Sequence, residues 1–451
     1  MTKLGLSSLA PRFSAAASFK CTGTVHQLVG DLIEAHAPSV KLGSFAEIEG
    51  CVCEVVGFKG SCALLMPLDR MNNVQLGSQV HFIPTTLSVP VGNALLGRVI
   101  DPLGRPIDGR PLPKGLERRP LKGSAPNPMA RSMITEPLAT GIRVIDGMLT
   151  LGRGQRIAIM AGSGVGKSTL MGMFARESAA DVNVIALVGE RGREVQEFLH
   201  HSLGDGLSKS VLVVSTSDVS PALQIKGVEA AMAVAEYFRD QGLNVLVMTD
   251  SLTRLAMAQR QIGLAAGEPP TTKGYPPSVF TMLPRLLERG GPGEDGRGTI
   301  TSVSTILVEG DDMNDPVGDT VRGIVDGHVV LSRRLVSYGH YPPIDVLESL
   351  SRTMPSTCTE EHITAATRIR RVLAVYQENE ELIRLGAYKK GSDAEVDKSI
   401  ELKTHLDAFL RQDKSEFTSW EECLNVLMTL AISADTASNT QNTQNFRRNI
   451  R

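Results

Sequence analysis

The chain has few aromatic residues, no excess of charge of either sign and no long apolar run, and each shortage excludes a class of protein. Lys and Arg total 47 against 49 Asp and Glu, so the formal net charge is −2. Such a balance lacks the basic excess that supports tight, sequence-independent binding to nucleic acid. No stretch is apolar over enough residues to span a bilayer. Residues 1–20 carry too short and interrupted an apolar segment for a signal peptide.

Cysteine is also scarce, with six in 451 residues, which is too few for a disulfide framework in a chain of this length. Cys51 and Cys53 form a C-x-C pair with Cys62 nearby, but no His/Cys cluster follows that would complete a metal site. Free cysteine behaves as a small buried hydrophobe. We therefore expect buried free thiols in a protein of the reducing cytoplasm.

The length of 451 residues exceeds one ordinary core and suits two or three domains. In residues 21–92, short apolar runs recur between glycine-containing turns, which predicts a small β-barrel. The ends, 1–20 and 437–451, have no usable apolar pattern and are predicted to be flexible.

Residues 93–355 alternate strand-like and helix-like segments after a Pro- and Gly-rich linker over 101–137. This alternation predicts an α/β domain with a mostly parallel sheet covered by helices on both faces. Residues 356–436 carry apolar residues at helical spacing, which predicts a C-terminal helical domain. Within it, Ile363–Tyr376 and Glu380–Leu385 are predicted as separate helices.

A phosphate-binding loop is predicted after the apolar strand at 156–160. Residues 161–169 fit the pattern G-x-x-x-x-G-K-[ST], with Ala161 in place of the first glycine, and a helical segment follows. Small residues allow backbone N–H groups to wrap phosphates at the positive end of that helix. Lys167 would neutralise the β- and γ-phosphates of ATP, and the Ser168 hydroxyl would hold Mg²⁺. The predicted nucleotide-binding residues are Gly162, Ser163, Gly164, Val165, Gly166, Lys167, Ser168 and Thr169.

Two carboxylates are candidates for the remaining chemistry. Asp250 ends the apolar strand 244–249, where it would lie in the Mg²⁺ shell, although a cap on the next helix would also explain it. Glu190 is the first carboxylate after the strand 184–188 and would polarise the attacking water. On spacing alone, a charged surface loop explains Glu190 equally well.

At this point the sequence resembles the catalytic subunits of the rotary ATPase superfamily. The resemblance rests on four segments and covers about Gly23 to Leu410: residues 96–108, the predicted phosphate-binding loop, Gly189-Glu-Arg-Gly-Arg-Glu194 and Pro342-Pro-Ile-Asp-Val-Leu-Glu-Ser-Leu-Ser351. It implies a RecA-like P-loop domain that hydrolyses MgATP. Thr249 departs from the family, which usually has an apolar residue before the aspartate.

The resemblance also implies a role for each matching position. Glu190 matches the catalytic glutamate, Arg191 a γ-phosphate contact, and Glu194 and Asp250 the shell that holds Mg²⁺ through water. Tyr341 matches the aromatic residue that packs on adenine, and Arg352 the arginine finger that reaches a neighbouring subunit. Without the family, Tyr341 would be read as a packed loop residue and Arg352 as a surface ion-pair partner.

Finer features resemble one branch, the type III secretion ATPases, and within it the flagellar members. The features of the branch are residues 307–315 and Gly386–Asp393, where an ATP synthase β subunit carries an acidic segment. The loop Ala161-Gly-Ser-Gly-Val-Gly166 resembles the flagellar members more than the injectisome ones. This branch implies a homo-hexamer with shared active sites, located in the cytoplasm and peripherally at the export gate of the membrane. The implied partners are regulator and stalk proteins, export chaperones and unfolded substrates, with the segment 1–20 as a candidate regulator site.

Three alternatives remain beside flagellar export. The first is the ATPase of a virulence (injectisome) secretion system. The second is a Rho-like RNA translocase, against which stands the lack of a basic, aromatic RNA platform, since Phe45 and Phe58 are the only aromatic residues of the N-terminal domain before Phe82. The third is a non-catalytic ring subunit, and Glu190 argues against it. No nucleic-acid partner is therefore expected.

Overall fold

The computed structural model describes residues 21–37, 39–69, 71, 73–83, 86–294, 296–308 and 315–448, with side chains described as far as residue 434. The predicted flexible segment 1–20 and residues 309–314 lie outside this part of the chain. Among the described residues, no helix combines the length and apolar character needed to cross a membrane.

The N-terminal strands close into an antiparallel barrel of six strands in the order β1-β2-β5-β4-β3-β6. The predicted barrel is therefore confirmed. Alternate residues such as Ile33, Ala35, Cys53 and Leu65 point inward and form its core. The strands are β1 Cys21–Val29, β2 Leu32–His36, β3 Phe45–Ile48, β4 Cys51–Lys59, β5 Cys62–Pro67 and β6 Gln79–Ile83.

The central domain is built on a nine-stranded sheet whose main path is β19-β18-β12-β17-β15-β13-β14-β8, with β16 pairing β17. All pairs from β18 through β8 are parallel, whereas β19 and β16 run antiparallel to their neighbours. The predicted mostly parallel sheet is confirmed. The remaining strands are β7 Ser88–Val91, β8 Arg98–Ile100, β9 Glu117–Pro120, β10 Pro137–Leu138, β11 Leu151–Gly152, β12 Arg156–Ala161, β13 Val182–Glu190, β14 Ser210–Thr216, β15 Asn244–Asp250, β16 Gly291–Pro292, β17 Thr299–Leu307, β18 Gly327–Leu331 and β19 Ile344–Ser351.

Helices cover both faces of this sheet and make up the C-terminal domain. The α-helices are α1 Arg143–Met148, α2 Lys167–Glu177, α3 Gly192–Glu197, α4 Pro221–Asp240, α5 Leu252–Ala265, α6 Pro277–Leu287, α7 Pro316–Ile324, α8 Arg333–Ser337, α9 Met354–Thr357, α10 Glu360–Arg384, α11 Ala394–Leu410 and α12 Trp420–Arg448. A π-helical segment, Phe198–Leu203, and short 3₁₀ segments at Asn93–Leu95, Gly204–Lys209 and Thr272–Gly274 complete the helical structure.

Two hydrophobic clusters lie on opposite faces of the sheet. Because both faces are covered, central strands such as β13 and β15 are buried along almost their whole length and read as continuous apolar runs. One face packs against α4, α5 and α6. The other packs against α2 and the C-terminal helices, so the helical domain reaches the sheet that carries the candidate site.

The linker predicted over 101–137 is partly ordered into strand, because β9 within it pairs with β7. Ahead of β9, the Asp101 carboxylate accepts the backbone N–H groups of Leu103 (2.9 Å) and Arg105 (2.8 Å). Asp108 forms a buried ion pair with Arg98 at 2.7 Å. Much of the segment 96–108 is therefore explained by a turn and an ion pair.

One helix prediction is corrected, and the last helix extends into the predicted tail. The separate helices at 363–376 and 380–385 are one helix, α10, because no Gly or Pro interrupts it and the Asn379 side chain donates to the Val375 carbonyl one turn earlier at 2.9 Å. The last helix, α12, continues to Arg448 through residues predicted as a flexible tail. Buried Cys423 and Leu427 fix its first turns, and adding residues to an existing helix costs little.

The cysteines are free thiols, as the sequence predicts, and Cys51, Cys53 and Cys62 are buried. The Cys51 and Cys53 sulfur atoms lie 3.9 Å apart on one face of β4. No group of three or more potential metal ligands occurs among the described residues.

Candidate nucleotide-hydrolysing site

The predicted phosphate-binding loop and the predicted carboxylates meet at the carboxyl ends of four neighbouring parallel strands, β12, β17, β15 and β13. Ligands of open α/β sheets bind at this edge, because the loops after the strands diverge there. The phosphate-binding loop follows β12, Asp250 ends β15 and Glu190 ends β13. Residues distant in sequence are therefore adjacent in space.

The loop from Gly162 to Gly166 has the backbone geometry of a phosphate cradle. Gly164 and Gly166 have φ values of 75° and 100°, which favour glycine. Apart from the adjoining residues of the loop, no described atom lies within 4 Å of where a Cβ would stand on either residue, so the space above the loop is open. No described side chain caps α2, and its positive N-terminal end is therefore open to an anion. Ser168 and Thr169 are exposed in its first turn.

Lys167 and Asp250 are joined across this edge of the sheet. Lys167 Nζ lies 3.3 Å from Asp250 Oδ1, and the same oxygen accepts a hydrogen bond from Thr305 Oγ1 at 2.6 Å. The alternative that Asp250 caps the next helix is wrong, because the Ser251 hydroxyl accepts from the Arg254 backbone N–H at 3.3 Å and is the cap of α5. The Asp250 carboxylate is thus left facing Lys167.

The side chains of Glu190 and Glu194 place two carboxyl groups side by side near that ion pair. Burial, the hydrogen bond to Glu194 and the nearby Asp250 charge raise the pKa of Glu190 to about 8, while Lys167 opposes the shift. The hydrogen bond from Glu190 lowers the pKa of Glu194. The two carboxyl groups therefore interact directly at the end of β13.

Local backbone geometry sets the direction of Glu190. Gly189 has φ 68°, and the register between β13 and β14 shifts between Val188 and Glu190. Such an irregularity turns the side chain at a strand end toward a new direction. The alternative of a fully solvated surface loop does not fit Glu190, because its side chain is half-buried and contacts the Glu194 carboxyl.

The two arginines lie in different places. Arg191 is at the mouth of the site, largely exposed, with its guanidinium 3.7 Å from the Glu194 carboxylate. Arg352 follows β19, whose Ser351 pairs with Gly327 at the start of β18. The phosphate-binding loop lies at the other end of the strands, level with Leu331, roughly 13 Å further along at 3.3 Å per residue. The structure therefore does not bring Arg352 to the site of its own chain.

Tyr341 lines a cavity of about 290 Å³ beside the start of α2. Its ring is half exposed, and Leu170 and Met173 of α2 form the facing wall. The third wall is the loop Gln412–Lys414 of the C-terminal domain. This apolar slot, next to the phosphate-binding loop, has the size and chemistry to accept a planar base.

Sequence reasoning missed two parts of the site, Thr305 and the loop Gln412–Lys414. Thr305 is one of several polar residues within the buried strand β17, and that unusual composition was the available signal. The loop 412–414 lies in a polar segment between helices and carries no motif. Only the fold brings it next to Tyr341.

The fold and the site together define a class. A phosphate cradle before a helix, a lysine–aspartate pair and a glutamate at the next strand end are the parts of a P-loop nucleoside triphosphatase. Oxygen donors on Ser168, Asp250 and Glu194 suit Mg²⁺, which prefers carboxylate, hydroxyl and water ligands. The residues present therefore fit a magnesium–nucleotide complex.

Comparisons with known proteins give the family. Residues 141–351 match the ATP synthase alpha/beta family, nucleotide-binding domain, and residues 358–429 match the T3SS EscN ATPase C-terminal domain. The flagellum-specific ATP synthase of Bacillus subtilis is 51% identical over 92% of this chain and 96% of its own length. The type 3 secretion system ATPase of Xanthomonas euvesicatoria is 48% identical over 91% and 94%.

Among solved structures, the assembled ATPase EscN of enteropathogenic E. coli, in complex with its central stalk EscO, superposes with a TM-score of 0.84. It is 42% identical over 91% of this chain and all of that chain. The chain belongs to the type III secretion ATPase family of the rotary ATPase superfamily, and it is an ATPase of the type III export apparatus.

Proposed function

We propose that this chain hydrolyses MgATP in a ring of identical subunits and thereby energises protein export through the flagellar type III apparatus. The observation that carries the proposal is the meeting of Lys167, Asp250 and Glu190 at one edge of the sheet. The relatives named for flagellar and secretion ATPases support the export context.

In this proposal the phosphate-binding loop and Lys167 hold the β- and γ-phosphates. Ser168 would bind Mg²⁺ directly, and Asp250 and Glu194 through water. Bound Mg²⁺ supplies charge neutralisation at the phosphates.

Glu190 orients the attacking water by accepting a hydrogen bond from it, which positions the nucleophile in line with the γ-phosphate. Arg191, at the mouth, contacts the γ-phosphate. Tyr341 packs on the adenine. Arg352 acts in trans, because it lies at the far end of the strands from its own phosphate-binding loop.

The partners follow from the same proposal. The assembled EscN complex with its stalk supports a ring with a central stalk protein for this chain as well. Chaperones, unfolded substrates, a regulator and a peripheral position at the inner face of the membrane complete the proposed setting.

The first experiment is ATP turnover per subunit against protein concentration, with and without RNA. A rate per subunit that rises with concentration and ignores RNA is expected for a ring with shared sites. A rate that is flat with concentration but rises steeply with RNA would replace the export function by an RNA translocase. A Lys167→Ala preparation, purified in parallel, measures contaminating ATPase.

A second candidate is export through a virulence apparatus, because the secretion ATPase of X. euvesicatoria is almost as similar as the flagellar relative. Complementation separates the two. The chain is expected to restore swimming to B. subtilis that lacks its flagellum-specific ATP synthase. Restored effector secretion in the corresponding X. euvesicatoria deletion, without restored swimming in B. subtilis, would favour the virulence system.

A further inference from the structure

The base-sized cavity beside Tyr341 is closed by a loop from another domain. Leu170 and Met173 of α2 and the Tyr341 segment belong to the central domain, whereas Gln412–Lys414 follows the last turn of α11 in the helical domain. The cavity is therefore complete only while this loop is held in place.

Gln412 is the residue of this loop with the most contacts to the central domain. Only 4% of its surface is exposed. Its backbone N–H donates to the Tyr341 carbonyl at 2.8 Å. Its Nε2 donates to the carbonyls of Gly141 (2.7 Å) and Glu416 (2.8 Å), and its Oε1 accepts the Arg143 backbone N–H at 2.8 Å. All polar atoms of the side chain are thus used, and the amide joins the segment 141–143 to residue 416.

Arg143 fixes the same loop from the opposite side. Its guanidinium donates to the Phe409 carbonyl at 3.1 Å, to the Thr418 hydroxyl at 3.1 Å and to the carbonyl of Arg411. It also forms an ion pair with Glu416. The loop 409–418 is therefore attached to the segment 141–143 at both of its ends.

The loop also contacts the helix that carries the phosphate-binding lysine. Arg176, in the last turn of α2, donates to the Lys414 carbonyl at 2.5 Å. Gly141 lies so close to Glu177 and Phe417 that a Cβ on it would meet their side chains at 2.9 and 2.8 Å. The loop, α2 and the base-packing segment therefore form one tightly packed unit.

We propose that Gln412 is a positioning residue for the nucleotide base: its side-chain amide fixes the loop 412–414 to the segment 141–143, which holds the loop beside Tyr341 and so sets the width of the base cavity. The inference rests on the proposed function, because it assumes that ATP binds at this site. Gln412 touches no reacting group, since the phosphate chemistry lies at Lys167 and Glu190.

Loss of the amide should affect binding of the base and not binding of the phosphates. It leaves the buried Arg143 N–H without a partner and the Gly141 carbonyl with only the longer hydrogen bond from the Thr418 N–H at 3.4 Å, so the loop is held less tightly. The base cavity then widens, while the phosphate cradle, formed by the backbone of 162–166, is unchanged. Affinity for the base should fall, whereas the rate of the chemical step should not.

The experiment compares Gln412→Met with the wild type. Methionine keeps the length and volume of the side chain and removes its three hydrogen bonds. We expect KM for ATP to rise about tenfold, because one buried amide left without partners is worth roughly that factor, while kcat stays within about twofold. Binding of magnesium tripolyphosphate, which has no base, should be unchanged by calorimetry.

A double variant tests the route of the effect. If Gln412 acts through the Tyr341 wall, adding Gln412→Met to Tyr341→Ala should raise KM no further. Gln377→Ala, an exposed glutamine on the same helical domain, is the matched control and should behave as wild type. Equal losses of ATP and tripolyphosphate affinity, or additive effects in the double variant, would overturn the proposal. A wild type that binds but does not hydrolyse ATP would instead contradict the proposed function.

Discussion

Asp250 Oδ1 receives both Lys167 Nζ, at 3.3 Å, and Thr305 Oγ1, at 2.6 Å, so a neutral hydroxyl on β17 fixes the carboxylate that faces the phosphate-binding lysine. Both Asp250 and Thr305 are buried. A carboxylate anchored at one oxygen keeps the other free for water. Thr305 therefore orients the Asp250 carboxylate for its proposed role in the magnesium shell.

Replacement of Thr305 by Val should therefore weaken the response to Mg²⁺. The change removes the hydroxyl and preserves the shape, so the Asp250 carboxylate gains freedom to rotate. We expect the Mg²⁺ concentration for half-maximal ATPase activity to rise about fivefold. A hydrogen bond to a charged group is worth about 1.5–3 kcal/mol, and only part of that energy acts on Mg²⁺ binding. Thr299→Val is the matched control, because Thr299 lies on the same strand and contacts Asn244 at the far end. An unchanged Mg²⁺ titration in Thr305→Val would remove Thr305 from the site.

Replacement of Glu190 by Gln should abolish turnover and preserve nucleotide binding. Glutamine keeps the size of the side chain but accepts a hydrogen bond from water much less strongly, and positioned acid–base groups contribute roughly 10²–10⁴-fold in rate. Steady-state turnover and equilibrium binding of a fluorescent ATP analogue measure the two properties separately. Glu197→Gln, on an exposed position of α3, is the control. Wild-type turnover in Glu190→Gln would make the catalytic assignment wrong.

The sequence predicts those parts of the site whose pattern lies within a few consecutive residues. The phosphate-binding loop depends on one strand, one turn and one helix start, and Asp250 and Glu190 stand at the ends of apolar strands. Thr305 and Gln412 contribute through partners 55 and 71 residues away, Asp250 and Tyr341. Such contacts arise from strand order and domain docking, which spacing along the chain does not encode.

The fold, like the site, is predicted by the sequence only in part. The barrel and the parallel sheet follow from the periods of apolar residues, whereas the length of the helices does not. The helix α10 continues through polar Gln377 and Asn379 because nothing in that stretch stops a helix, although its apolar pattern is interrupted there. The resemblance to rotary ATPases predicted a trans role for Arg352, and the geometry of β18 and β19 explains why a cis role is excluded by distance.

Asp146 should make stability depend on pH in an unusual direction. Burial raises its pKa to about 6, against hydrogen bonds from Thr140 and Gly141 that lower it. Because the folded pKa lies above the ordinary aspartate value of 3.8, the folded state binds more protons, and the stability from this group falls as pH rises from about 4 to 6. Between pH 5 and 7 the loss is about 1.3 kcal/mol.

The test compares melting temperatures of the wild type and Asp146→Asn from pH 5 to 7. Asparagine does not titrate and accepts fewer hydrogen bonds, so the variant should melt lower throughout. The gap between the two should narrow by about 1–2 °C toward pH 7. Asp205→Asn, at an exposed position, should show a constant gap. A gap that widens with pH would mean that the Asp146 pKa is lowered by folding.

Arg352 gives a prediction about the assembly. An Arg352→Ala subunit retains its phosphate-binding loop, and a Lys167→Ala subunit retains its arginine, so a mixed ring contains some interfaces with both groups. In an equimolar mixture about one quarter of the interfaces combine an intact Lys167 with a neighbouring intact Arg352, and ATPase activity should recover toward that fraction of the wild-type rate. Each variant alone should be nearly inactive. The control mixes Lys167→Ala with Arg371→Ala, because Arg371 is an exposed arginine on α10. The ATPase rate of this mixture should equal the rate of Arg371→Ala alone multiplied by the fraction of Arg371→Ala subunits. If mass spectrometry detects mixed rings but no mixing ratio restores activity, Arg352 does not act across the interface.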